Sequence, residues 1–162
     1  MKIPRAFGLI LKGRAPIAAL CLFLALPGCE RRGKVNRGML REIHRSCTGK
    51  SPCTIRIGDF TPFDWDMAFF FLDGTTEQER SSALGTREEG YREFEDQLVF
   101  LKKGRIAYQE SEPTDIEKPV KDQIAFATPE DRNFTSFGPN SVFAVSIEEG
   151  SDGPWFLLKQ VP

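Results

Sequence analysis

Met67 to Leu72 reads Met-Ala-Phe-Phe-Phe-Leu, and this run constrains the fold more than any other part of the chain. A strand with one wet face alternates apolar and polar residues. This one does not, so both of its faces must be covered. At period two, Phe63, Trp65, Met67, Phe69 and Phe71 fall on one side, and Asp64, Asp66, Ala68, Phe70 and Leu72 on the other. The first side is expected to be the better core face. The second is expected to begin wet and become buried. Burying one Phe contributes roughly 1.5–3 kcal/mol, so this strand carries a large part of a small domain's stability. Asp73-Gly74 breaks the run with turn chemistry. A short helix is expected next, with Thr75 as N-cap, Gln78 completing a T-x-x-Q capping box, Glu77 and Glu79 in the first turn, and Gly85 at the end.

The N-terminus is built differently. Lys2, Arg5, Lys12 and Arg14 precede a 12-residue uncharged run, Ala15 to Leu26, with no acid before it. That is the pattern of a secretory signal peptide, and the run is short of the roughly 20 residues of a membrane-spanning helix. Leu26-Pro27-Gly28-Cys29 then resembles the lipobox of bacterial lipoproteins, with an apolar residue at Leu26 and a small residue before the cysteine. The resemblance implies cleavage between Gly28 and Cys29, with diacylglycerol and palmitate on the new N-terminal Cys29. Two or three acyl chains, at about 0.8 kcal/mol per buried CH2, anchor stably. Glu30 follows, and by resemblance to the sorting rule of Gram-negative lipoproteins the absence of Asp there implies the periplasmic face of the outer membrane. Three parts are therefore expected: residues 1–28 as signal peptide, 29–36 as lipidated N-terminus and tether, and 37–162 as a single periplasmic domain.

Residues 1–28 hold 4 of the 22 Lys and Arg and none of the 23 Asp and Glu, so the 134 residues that follow carry a net charge of −5. That length can bury a core. The mild acidity argues against a nucleic-acid partner, which needs a basic face. Cys21 leaves with the signal and Cys29 takes the lipid, which leaves Cys47 and Cys53. In an oxidising compartment the default for this pair is a disulfide, worth roughly 2 kcal/mol for so small a loop. The spacing is not C-x-x-C. Two thiols with the single histidine, His44, make no zinc site, so neither metal nor cofactor is expected.

Asn36 reads as the N-cap of a helix carrying Met39, Leu40, Ile43 and Cys47. A strand over 54–60 follows, then the central strand and helix. Residues 86–96 are charged and ambiguous. Gln97 to Glu110 reads as a hairpin turning at Lys102-Lys103-Gly104, and 112–121 as a surface connection. Strands are expected over 122–128, 141–147 and 154–161, with a long loop over 129–140. Few helices and many strands give an α+β domain with a largely antiparallel sheet of about six or seven strands, an N-terminal helix and one or two short helices.

Asp64 and Asp66 flank Trp65, and paired carboxylates serve acid–base chemistry or cation binding; at a strand's start they more often keep that end wet. Phe63-Asp64-Trp65-Asp66 before a Phe-rich strand also resembles a motif in small uncharacterised bacterial lipoproteins, a resemblance that covers about a quarter of the chain and implies no activity. His44 would have to serve any Ser-His-Asp or Cys-His site, and no nucleophile motif accompanies it. Phe134 and Phe137, in a loop bounded by Pro and Gly, are candidate partner anchors; the plainer alternative is that they fold down to cap the sheet. The leading expectation is a non-enzymatic, lipid-anchored module that binds another envelope or exported protein, as an envelope factor or an immunity-type inhibitor does. The alternatives are a cell-wall-acting enzyme using Asp64, Asp66 or His44, and a small-ligand or lipid carrier with a cavity between Phe-rich strands.

Overall fold

The computed structural model describes residues 33–49, 52–87, 92, 94–113 and 118–162. The expected signal peptide, the lipobox-like stretch with Cys29, the first part of the expected tether and the middle of the 112–121 connection lie outside the described residues. Among the described residues there are two α-helices and eight strands. In chain order these are α1 (Lys34–Ser46), β1 (Thr54–Arg56), β2 (Met67–Phe71), α2 (Glu77–Leu84), β3 (Glu95–Lys102), β4 (Arg105–Pro113), β5 (Ile124–Phe126), β6 (Phe134–Phe137), β7 (Val142–Gly150) and β8 (Gly153–Val161). No helix among the described residues is long and apolar enough to cross a membrane.

The α+β expectation holds, but the single sheet of six or seven strands does not. The strands form two four-stranded sheets, ordered β1-β7-β8-β5 and β4-β3-β2-β6. Two helices cannot cover the apolar faces of one wide sheet, whereas two facing sheets bury one face of each against the other. The second sheet is antiparallel throughout, while in the first β5 runs parallel to β8. The space between the sheets is filled by rings: Phe70 meets Phe126 at 4.7 Å, Phe126 stacks on Phe137 at 5.3 Å, and Phe137 meets Phe143 edge-on at 5.0 Å. The expected 129–140 loop is in part a strand, because β6 pairs with β2 from Ala68↔Phe137 to Phe71↔Phe134.

The central strand is covered on both faces, as its composition requires, but the faces are not ranked as expected. Ala68 and Phe70 enter the inter-sheet core, Phe69 and Phe71 enter a second cluster with Leu84, Val99 and Leu101, and Met67 is 40% exposed. The strand begins only at Met67, so period-two parity does not reach back to Trp65. Trp65 packs in the main core against Phe100 at 5.0 Å, with its indole N–H donating to Thr61 Oγ1 at 2.8 Å.

Helix α1 bridges the two sheets. It opens at Lys34, so Lys34 to Asn36, expected in the tether, form its first turn, and Gly33 rather than Asn36 is the N-cap. The cap is supplied by a distant strand. The Glu110 carboxylate of β4 accepts from the Val35 and Asn36 amides at 3.1 and 2.7 Å and from the Tyr108 hydroxyl at 2.7 Å. A Cβ on Gly33 would lie 1.9 Å from Glu110 Oε2, so the carboxylate occupies the place a capping side chain would take. At its other end, Cys47 joins Cys53 in the expected disulfide, with Cα atoms 5.3 Å apart.

Candidate functional site

The fold separates the tryptophan from the two carboxylates that flank it. Trp65 is buried in the core, while Asp64 and Asp66 are exposed beside the β3–β4 turn. That turn is the expected hairpin, closed by Lys103 and Gly104 at φ 52° and 72°, the left-handed pair of a tight two-residue loop. Asp66 fastens it. Its carboxylate accepts from the Lys103 amide at 2.7 Å and from the Lys102 ammonium at 2.9 Å, and its own amide donates to the Leu101 carbonyl at 2.8 Å. The Lys103 amide, and after it the Lys102 ammonium, hold the Asp66 carboxyl below its usual range. Asp66 in turn raises Lys102, with a smaller contribution from Asp64. A carboxylate held ionised by two donors has no proton to give near neutral pH.

His44 sits in the last turn of α1, its Nε2 3.0 Å from Asp122 Oδ1 and its ring edge-on to Phe156 at 5.5 Å. The nearby Thr48 hydroxyl donates to the His44 carbonyl rather than to the ring. The imidazole therefore ties α1 to β8 and to the turn before β5. Among the described residues it faces a carboxylate and an aromatic edge. Among the described residues no three His, Cys, Asp or Glu side chains cluster to hold a metal ion.

Phe137 and Phe134 part company. Phe137 is 2% exposed and is a core residue. Phe134 is half-buried on the outer face of the second sheet, 5.5 Å from Phe71 and 6.4 Å from Phe69. The Arg132 guanidinium lies 5.6 Å above its ring. Helix α2 lies over the same face, with Leu84 packed in the Phe71–Val99–Leu101 cluster and Ala83 against it. Thr76, one residue later than expected, is its N-cap, and Glu79 rather than Gln78 completes the capping box. The Thr76 amide, then its hydroxyl, pull the Glu79 carboxyl below its usual range. Gly85 closes the helix at φ 65°, as expected.

Helix α2 has a surface depression on either side. Towards β6, Thr76, Gln78, Glu79, Ser82, Ala83 and Phe134 line an open groove of about 680 Å³. Towards β4, Thr86, Arg87, Arg105, Ile106 and Gln109 line a cavity of about 370 Å³. Adjoining it through Gln109 is a second cavity, of about 240 Å³, lined by Arg92, Gln97, Gln109, Glu110 and Ser111. Beneath them Arg80 is 1% exposed, its guanidinium donating to Gln97 Oε1 and lying 4.5 Å over the Phe71 ring. Sequence reasoning missed Arg80, Gln97 and Arg105. A signal existed for Arg80, which stands four residues before Leu84 and so shares the helix face that packs on the sheet. Comparison with protein-family models, curated proteins and solved structures finds nothing that matches this chain.

Proposed function

We propose that this chain is a lipid-anchored, non-enzymatic domain on the periplasmic face of the outer membrane that binds another envelope or exported protein. The anchor reading rests on the lipobox at Leu26 to Cys29 that follows a signal-like segment. The binding reading rests on one placement. Phe134, an aromatic picked out from sequence, stands half-buried along the groove beside α2, where an incoming side chain would meet a ring, the Ala83 methyl and a polar rim of Gln78 and Glu79. Phe137 has no part in that surface, being enclosed in the core.

Two experiments test the two halves. Radiolabelled palmitate should enter the wild type and not Cys29→Ala, and the variant should leave the membrane fraction; labelling of both would remove the anchor at Cys29. For binding, the anchored protein is crosslinked in whole envelopes and captured beside Phe134→Ala and Ser82→Arg. A single dominant partner recovered with wild type and depleted in both variants is expected. Equal recovery with all three, or no partner with any, would overturn the docking surface.

A further inference from the structure

We infer that the two adjoining cavities between α2 and β4 form a binding site for a small anion, a ligand with a carboxylate or phosphate group on a polar body. Donors dominate the lining, beside Ile106 and one acid, Glu110, whose carboxylate is engaged by the Val35 and Asn36 amides of α1. Arg105 begins β4, Arg87 follows the end of α2, and Arg92 precedes β3, so three separate segments bring guanidinium groups to one trough. The Thr86 hydroxyl and the Gln97 and Gln109 amides add neutral donors. Gln97 is 4% exposed, and its carbonyl oxygen is occupied by the buried Arg80, which leaves its amide nitrogen as the group it offers elsewhere. The buried Arg80–Gln97 pair is thus a rigid base for the trough. Guanidinium groups meet carboxylate and phosphate oxygens two at a time, and hydroxyl and amide groups suit the rest of a polar ligand. The charge is local, because the segment after residue 28 is acidic overall.

Among the described residues the ion pairs of these cations are long. Arg87 meets Glu77 at 3.5 Å and Arg92 meets Glu95 at 3.6 Å, both pairs long, with well-exposed guanidinium groups. Arg105 makes no ion pair among the described residues. A volume of about 370 Å³ lies within the range that small-molecule sites occupy.

The test is calorimetric titration of the chain from Cys29 onward, in soluble form, with inorganic phosphate and, separately, with citrate. One or both should bind, more weakly as salt is raised. The stronger of the two identifies the phosphate or carboxylate chemistry. Removing one charged donor weakens an anion by about tenfold or more, so Arg105→Gln should show that loss and Arg87→Gln/Arg105→Gln a larger one. Arg105→Lys should recover part of the affinity, and Phe134→Ala should change nothing. Arg105 is exposed at a hairpin end, so its single variant should melt with wild type and separates a site effect from misfolding. Equal affinity in wild type and the double variant, or no binding of either probe to wild type, would overturn the site. Neither result bears on the Phe134 groove.

Discussion

Glu110 does for α1 what a capping residue usually does from within the helix. Its carboxylate holds two amides of the first turn and a tyrosine hydroxyl, at 8% residual exposure. Glu110→Ala strands those amides and should cost roughly 2–3 kcal/mol, whereas Tyr108→Phe, losing its bond to Glu110 and the one its oxygen accepts from the exposed Lys34 amide, should cost about 1–2 kcal/mol. Chemical denaturation of the two variants checks both values. Asp66 gives a pH signature. A carboxyl held below its usual range stabilises the fold above the ordinary aspartate value, and that contribution is lost as pH falls through the lower, folded value. Asp66→Asn should therefore melt below wild type at pH 7, with the two curves converging below about pH 4. A gap that persists in acid would mean the carboxylate's charge is not what matters. Asp66 was legible as a wet residue near the central strand's start, and its partners, 36 and 37 residues on, lie in a hairpin turn that was also legible, although their pairing with Asp66 was not. Glu110 was not legible, because its amides lie 74 and 75 residues away and nothing in either segment names the other.

At the scale of the element, α2 shows how a correct motif can slip by one position. Thr75-Thr76 and Gln78-Glu79 allow two overlapping capping boxes, and local sequence cannot choose between them. The choice comes from outside. The Thr75 hydroxyl is drawn inward to the Leu72 and Asn133 carbonyls, at 2.6 and 3.1 Å, which leaves Thr76 to cap. Thr76→Ala should cost about 1 kcal/mol by loss of the cap. Arg80→Ala should cost roughly 3 kcal/mol or more, since it opens a cavity over Phe71 and strands Gln97. Equilibrium urea unfolding ranks the two, and the reverse order would mean that α2 is held by its cap rather than by its buried arginine. Strand β6 was hidden for a related reason. Four residues between a polar loop and Gly138-Pro139 carry too little pattern of their own, and they become a strand only by pairing with β2.

For the whole molecule, the elements were largely legible and their assembly was not. Hairpin, disulfide and central strand each leave a local mark. The division into two sheets depends on which strands meet across the chain, as when β5 joins β8 in parallel. Helix α1 makes that division mechanically relevant, because its two ends are held by different means. Glu110 of the second sheet holds its first turn. The disulfide to Cys53, one residue before β1, holds its last, with the His44–Asp122 pair beside it. Removing the disulfide as Cys47→Ala/Cys53→Ala should lower stability by roughly 2 kcal/mol through the freed loop. The loss should also be uneven in space. Amide exchange should quicken in the last turn of α1 and in β1, while the Val35 and Asn36 amides keep wild-type protection, since their acceptor is untouched. Glu110→Ala should give the mirror image, with exchange quickened at the first turn and unchanged at the last. If either variant instead raises exchange evenly along α1, the helix behaves as one cooperative unit with the domain and does not bridge the sheets through two separate attachments.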